Sequence, residues 1–138
     1  MRFALSAAAA LLLAGTAGIA VAQTVSSPLP ASVTSNLPRN ARPLHYRIDV
    51  RPDAQKLTFA GTASITLEVY EATDTLTLNA NELAITSAKL TPTSGAGAAS
   101  ALKIALDPKA EQVHFAAAHP IQPGTYRLDV AYTGKINT

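Results

Sequence analysis

The stretch FAGTASITLEVYE, Phe59 to Glu71, restricts the fold more than any other part of the chain. Phe59, Gly61, Ala63, Ile65, Leu67 and Val69 fall on one side of a two-residue repeat. Ala60, Thr62, Ser64, Thr66 and Glu68 fall on the other. A helix of period 3.6 would scatter these residues around its axis, whereas a strand puts every second side chain on one face. The segment therefore reads as a long strand with one face in an apolar core and the other in water. Gly61 within it predicts a bulge or a close backbone approach.

The same period recurs along the chain. From His45 to Arg51, Tyr46, Ile48 and Val50 alternate with Arg47, Asp49 and Arg51, and the polar PDAQK that follows is turn-forming. Leu76 and Leu78 mark a strand in DTLTLNA. In ELAITSAKLT, Leu83 and Ile85 are in phase and Leu90 is not, so one extra residue near Ser87, a bulge, is expected. PTSGAGAAS, Pro92 to Ser100, is a flexible connection. ALKIAL and EQVHFA give two strands around DPKA, HPIQPG reads as a turn with two prolines, and TYRLDVAYTG is the last strand. No window is a convincing amphipathic helix. The fold class is all-β, antiparallel, of about seven strands, as in a β-sandwich or a curved open sheet. HYRIDV and TYRLDV nearly coincide, yet their surroundings do not match. They read as two strands meeting one patterning demand, with Tyr, aliphatic and Val on one face and Arg and Asp on the other.

Ahead of this domain, MRF is followed by an apolar run free of charge that ends in Ala20, Val21 and Ala22. That pattern predicts a signal peptide over residues 1–22, cleaved before Gln23, and an exported protein, periplasmic or secreted. An uncleaved membrane anchor is the competing reading, since Phe3 to Ala22 is about long enough to span a bilayer. With no cysteine there is no lipid-attachment site, and no disulfide can support the fold. Residues 23–38, rich in Ser, Thr and Pro, read as a flexible leader, and residues 39–138 as one β domain. The balance of 11 Lys and Arg against 9 Asp and Glu gives no reason to expect a nucleic-acid partner.

A search for chemistry finds little. His45, His114 and His119 have no helical zinc spacing; His114 and His119 would need a third ligand from elsewhere, and all three read as surface histidines. There is no Gly-x-Ser-x-Gly elbow, no catalytic cysteine, and TSGAGAAS lacks the Gly-Lys-Ser ending of a phosphate loop. Asp49 and Asp129 could approach only if their strands were neighbours. Each has an Arg two residues away on the same face, so solvated ion pairs are expected. Arg39, Arg42, Arg47 and Arg51 lack interleaved aromatics for stacking bases. The expectation is no catalytic, cofactor-binding or metal residue in this sequence.

Leu37 to Leu90 nevertheless resembles the start of the M1 zinc aminopeptidases, of the aminopeptidase N type. The resemblance rests on pieces in order: Leu37 and Pro38, Pro43, His45 and Tyr46, Pro52 and Asp53, Phe59 with Gly61, the alternating strand to Val69, and LTLNANELAI with Asn79, Glu82 and Leu83. GTYRLDVAYTGKIN, with Tyr132 and Gly134, is also similar to the family; Pro92 to Ala118 is least so. The resemblance implies an N-terminal, saddle-like β domain beside a separate thermolysin-like catalytic domain. In such enzymes a zinc-activated water, with Glu as general base, removes N-terminal residues from peptides. The family's Gly-Ala-Met-Glu-Asn loop, its His-Glu-x-x-His helix and the glutamine that meets the substrate amine have no counterpart here, so none is carried onto a residue. The sequence is thus expected to be an inactive fragment, incomplete at its C-terminal side. Zinc, peptide substrates and the catalytic domain would belong to the longer enzyme. The competing hypothesis is a stand-alone exported β-sandwich with a binding or structural role.

Overall fold

The computed structural model describes residues 32, 34–95 and 97–136; the expected signal peptide and the first part of the leader lie outside them. Eight strands follow in order: β1 (Ala41–Asp53), β2 (Thr58–Val69), β3 (Thr73–Asn79), β4 (Leu83–Pro92), β5 (Ser100–Ala101), β6 (Lys103–Asp107), β7 (Gln112–Ile121) and β8 (Gly124–Lys135). They form a five-stranded sheet in the order β1-β2-β8-β4-β5 and a three-stranded sheet in the order β3-β7-β6, with every pairing antiparallel. The all-β expectation holds.

β2 and β8 pair from Thr58↔Lys135 to Val69↔Gly124 without a register shift. Their core-facing pairs, Ile65↔Leu128 and Leu67↔Tyr126, meet the inner face of the small sheet, where Leu76 stands opposite Phe115 and Leu78 opposite Val113. Phe115, Leu128, Val69 and Val113 are the largest side chains fully enclosed. The alternation of Phe59 to Val69 thus does what it predicted, burying Ile65, Leu67 and Val69.

Gly61 marks a close approach rather than a bulge. It lies opposite Tyr132, and a Cβ on Gly61 would stand 2.7 Å from that ring. Two pairs along the same ladder the arrangement is reversed: Phe59 lies opposite Gly134, and its ring fills the space a side chain there would need. The two rings meet edge to face, with centroids 6.3 Å apart and planes at 76°. Each aromatic therefore covers the glycine of the neighbouring strand, and the ladder is locked in register.

The extra residue expected near Ser87 is found between Ile85 and Ser87, where β4 slips against β8; Thr86 turns its hydroxyl to the Ala131 carbonyl at 3.1 Å. Two details depart from the sequence reading. ALKIAL is divided between the sheets: β5 pairs with β4 and β6 with β7, with buried Leu102 at the crossing, its N–H bonded to the Ala88 carbonyl at 3.0 Å. HPIQPG is not a turn throughout, because β7 runs on to Ile121. The β3–β7 register jumps from Ala116 to Ile121, so Pro120 sits where no ladder bond is asked of it, and Ile121 reaches the core.

Two hairpin turns share one design. Asp53 Oδ1 accepts the N–H groups of Gln55 and Lys56, each at 3.1 Å, and Asp107 Oδ1 accepts those of Lys109 at 3.1 Å and Ala110 at 3.0 Å. Each turn closes through a residue at positive φ, Leu57 at 50° and Glu111 at 55°. Lys56 Nζ lies 3.0 Å from Asp53 Oδ2. The Lys56 side chain first, then its backbone N–H, holds the Asp53 carboxyl below the usual aspartate range.

Two outcomes follow. Gly61→Val forces the Tyr132 ring aside and lowers unfolding free energy by about 1–3 kcal/mol, read as a lower urea midpoint at unchanged slope. The depressed Asp53 pKa means its contribution is present above the unfolded aspartate pKa, near 4, and is lost as pH falls through the acid range. Asp53→Asn is therefore less stable at neutral pH, and its urea midpoint falls less steeply than that of the unsubstituted chain below about pH 4.

Candidate functional site

The outward face of the large sheet carries the charged residues singled out in the sequence. Arg47, Asp49 and Arg51 project from β1, Thr62 and Ser64 from β2, and Arg127 and Asp129 from β8. Asp49 and Asp129 lie opposite Thr62 and Ser64 respectively, so β2 stands between them. Their strands are thus roughly 10 Å apart, two strand spacings. Each carboxylate takes its own strand's arginine instead: Arg51 Nε lies 3.4 Å from Asp49 Oδ1, and Arg127 Nε 2.9 Å from Asp129 Oδ2. Ser64 donates its hydroxyl to Asp129 Oδ1 at 2.6 Å. Asp129 thus holds Ser64 on one oxygen and Arg127 on the other.

The histidines are dispersed. His45 is exposed on β1, opposite Thr66. His114 lies on the outer face of the small sheet, its Nδ1 sharing a hydrogen bond with the Thr77 hydroxyl at 3.0 Å. His119 is exposed in the stretch of β7 that leaves the ladder. Among the described residues no three His, Cys, Asp or Glu side chains are placed to hold a metal ion. These residues do not fit a zinc centre.

At the start of β1 a tighter cluster forms. Arg42 Nη2 lies 3.2 Å from Glu68 Oε2 across the strand pair, and its guanidinium stands 5.6 Å from the centre of the Tyr70 ring. Burial raises the Tyr70 phenol pKa; the Arg42 charge opposes the shift and Glu68 adds to it. Asn40 ties the chain ahead of β1 to the other sheet. Its carbonyl accepts the Tyr70 N–H at 2.8 Å, and its side-chain amide donates to the Thr73 hydroxyl at 2.8 Å.

The feature that period-two reading missed is what β1 leaves open. Tyr46, Ile48 and Val50 face the same side as Ile65, Ala63 and Gly61, which is the core side of the sheet. The three-stranded sheet does not cover them: they are 49%, 58% and 51% exposed, and Leu44, beside the register shift between Pro43 and His45, is 49% exposed. A shallow groove lined by Leu37, Pro38, Tyr46, Leu76 and Leu78 runs between β1 and β3, the outermost strand of the small sheet. Alternation marks these side chains as inward-facing, but it cannot tell a central strand from an edge. This apolar strip is the surface best suited to a partner.

The family model for the peptidase M1 N-terminal domain matches residues 42–138. The chain is 31% identical over 111 residues to a puromycin-sensitive aminopeptidase of Caenorhabditis elegans, covering 80% of this chain and 12% of that protein. It is 30% identical over 118 residues to aminopeptidase 2 of Candida albicans, covering 82% and 12%. Among solved structures, a two-domain M1 zinc metallopeptidase bound to L-tryptophan superposes with a TM-score of 0.56 at 19% identity, over 72% of this chain and 21% of that one. An M1 zinc metallopeptidase of Deinococcus radiodurans bound to a Tyr-Ser-Ala substrate gives 0.55 at 20% identity, over 70% and 21%. These two structures support the fold. The chain spans only about an eighth of the length of the two curated relatives, 12% of each.

Arg42→Ala removes both the Glu68 pair and the Tyr70 ring contact. It costs about 1 kcal/mol of stability in a urea titration, and Arg42→Lys recovers only part of that, since an ammonium does not stack on the ring as a guanidinium does.

Proposed function

The chain belongs to the M1 peptidase family through its N-terminal domain, and on that footing we propose that it serves as the non-catalytic β domain of an exported zinc aminopeptidase. The match over residues 42–138 carries the reading. In this proposal zinc, the general base and the groups that hold the substrate's free amine come from a catalytic domain in the same polypeptide. The described residues supply a rigid sandwich and an apolar strip on β1 against which a further layer can pack. The substrates are peptides shortened from the N-terminus, as the relatives' designation as aminopeptidases suggests. Export is part of the same proposal: residues 1–22 are removed, and the protein acts in the periplasm or outside the cell.

The purified chain releases no amine from aminoacyl-anilide substrates, with or without added zinc. Chelator-sensitive turnover by a pure preparation overturns this. Reading the coding DNA past codon 138 is the second check. A frame continuing into a Gly-Ala-Met-Glu-Asn loop and a His-Glu-x-x-His helix supports the reading, while a stop codon there favours the stand-alone module. N-terminal sequencing of the exported protein is expected to begin at Gln23.

A further inference from the structure

β1 is one of the two edge strands of the large sheet, the other being the two-residue β5, and no strand lies beyond it among the described residues. Such edges present unpaired backbone donors and acceptors, and stable proteins guard them with charge, proline or bulges. Here the bulge and the proline sit at the ends, in the register shift between Pro43 and His45 and in Pro52, while the charges between them, Arg47, Asp49 and Arg51, are of both signs. Between them His45 to Arg51 is regular, with Tyr46, Ile48 and Val50 exposed on one face.

The geometry points to a second copy of this chain as the occupant of that edge, through antiparallel pairing of β1 with β1 about a two-fold axis at Ile48. Charge and proline together select the register. Centred on Ile48, the pairing sets Arg47 opposite Asp49 of the other copy, twice, with Tyr46 opposite Val50, His45 opposite Arg51 and Ile48 opposite itself. Moving the axis to Asp49 sets Asp49 against itself and Arg47 against Arg51; moving it to Arg47 sets two arginines together. Both place like charges directly opposite, which disfavours pairing. A one-residue slip puts apolar side chains opposite charged ones. An axis at Val50 pairs Asp49 with Arg51 and Arg47 with Asp53, but it brings Pro52, which has no N–H to donate, opposite Ile48 inside the regular stretch, whereas the Ile48 axis leaves Pro52 opposite Leu44, at the register shift where regular pairing has ended.

The side chains are free to take part. Asp49 meets only the exposed Arg51 at 3.4 Å, and their side chains are 64% and 86% accessible, so re-pairing with Arg47 of the other copy disturbs no buried contact. The dimer joins two five-stranded sheets into one and sets the two apolar strips side by side. It concerns the edge of β1 rather than its family role, and it stands or falls independently of the aminopeptidase reading.

Sedimentation equilibrium of the purified chain is the test, with circular dichroism confirming that each variant is folded. The expected result is a reversible dimer, weakened at least tenfold in dissociation constant by Arg47→Asp or Asp49→Arg alone. The double exchange Arg47→Asp with Asp49→Arg restores it. Because the chain has no cysteine, Ile48→Cys on the two-fold axis forms a disulfide-linked dimer in air faster than Val50→Cys. A monomer at every concentration, equal effects of the single and double exchanges, or faster cross-linking at position 50 overturns the proposal.

Discussion

The unbroken ladder between β2 and β8 is the constraint on which the rest of the molecule depends. β8 lies between β2 and β4, and β2 between β1 and β8, so a slip between β2 and β8 would shift β1 and β2 together against β8, β4 and β5. Because side chains alternate, a one-residue slip would also turn Ile65, Leu67, Leu128 and Val130 outward together. The two glycine–aromatic pairs resist such a slip sterically. Tyr132 fits only over a residue with no Cβ, and so does Phe59. Within this ladder aromatic bulk has replaced the turn as the element that fixes register. The β2–β8 pair needs such a device, since these strands are far apart in sequence and no tight hairpin joins them.

Much of this was legible from residue spacing. The alternation of Phe59 to Val69 set the long central strand, and the phase break between Ile85 and Leu90 located the β4 slip to one position. Asp53 and Asp107 head turns of the kind that PDAQK and DPKA suggest. Where reading failed, the deciding forces were non-local. The sheet change at Leu102 depends on which strand lies nearby in space, and a run of apolar residues carries no mark of which sheet each belongs to. Pro120 reads as a turn because proline breaks ladders. It is tolerated in β7 because the ladder with β3 is already broken there.

HYRIDV and TYRLDV show the same boundary from another side. Both strands flank β2, run in one direction, and turn Tyr, aliphatic and Val towards the core side. Their fates differ completely: Leu128 is fully buried, whereas Ile48 is mostly exposed. Nothing in six residues distinguishes them. The difference arises because β8 has partners on both sides and a second sheet above, while among the described residues β1 has one partner and no cover over its middle. Period two specifies which way a side chain points, and position in the sheet specifies what it meets.

This separation of direction from environment also bears on chemistry. A catalytic group needs an environment that holds its proton affinity away from that in water, through burial or a fixed neighbouring charge. No charged or polar side chain among the described residues is buried. Where environment does alter a proton affinity, it does so in the service of structure. Lys56 and the turn N–H groups act on Asp53 to close a hairpin, and Tyr70 is partly buried where the chain ahead of β1 meets the end of β2. Arg51 with Asp49 and Arg127 with Asp129 answer one another within their own strands, in water, at a cost and gain that nearly cancel. What the described residues present is a sandwich whose register is fixed by two rings, and an edge whose apolar row is exposed.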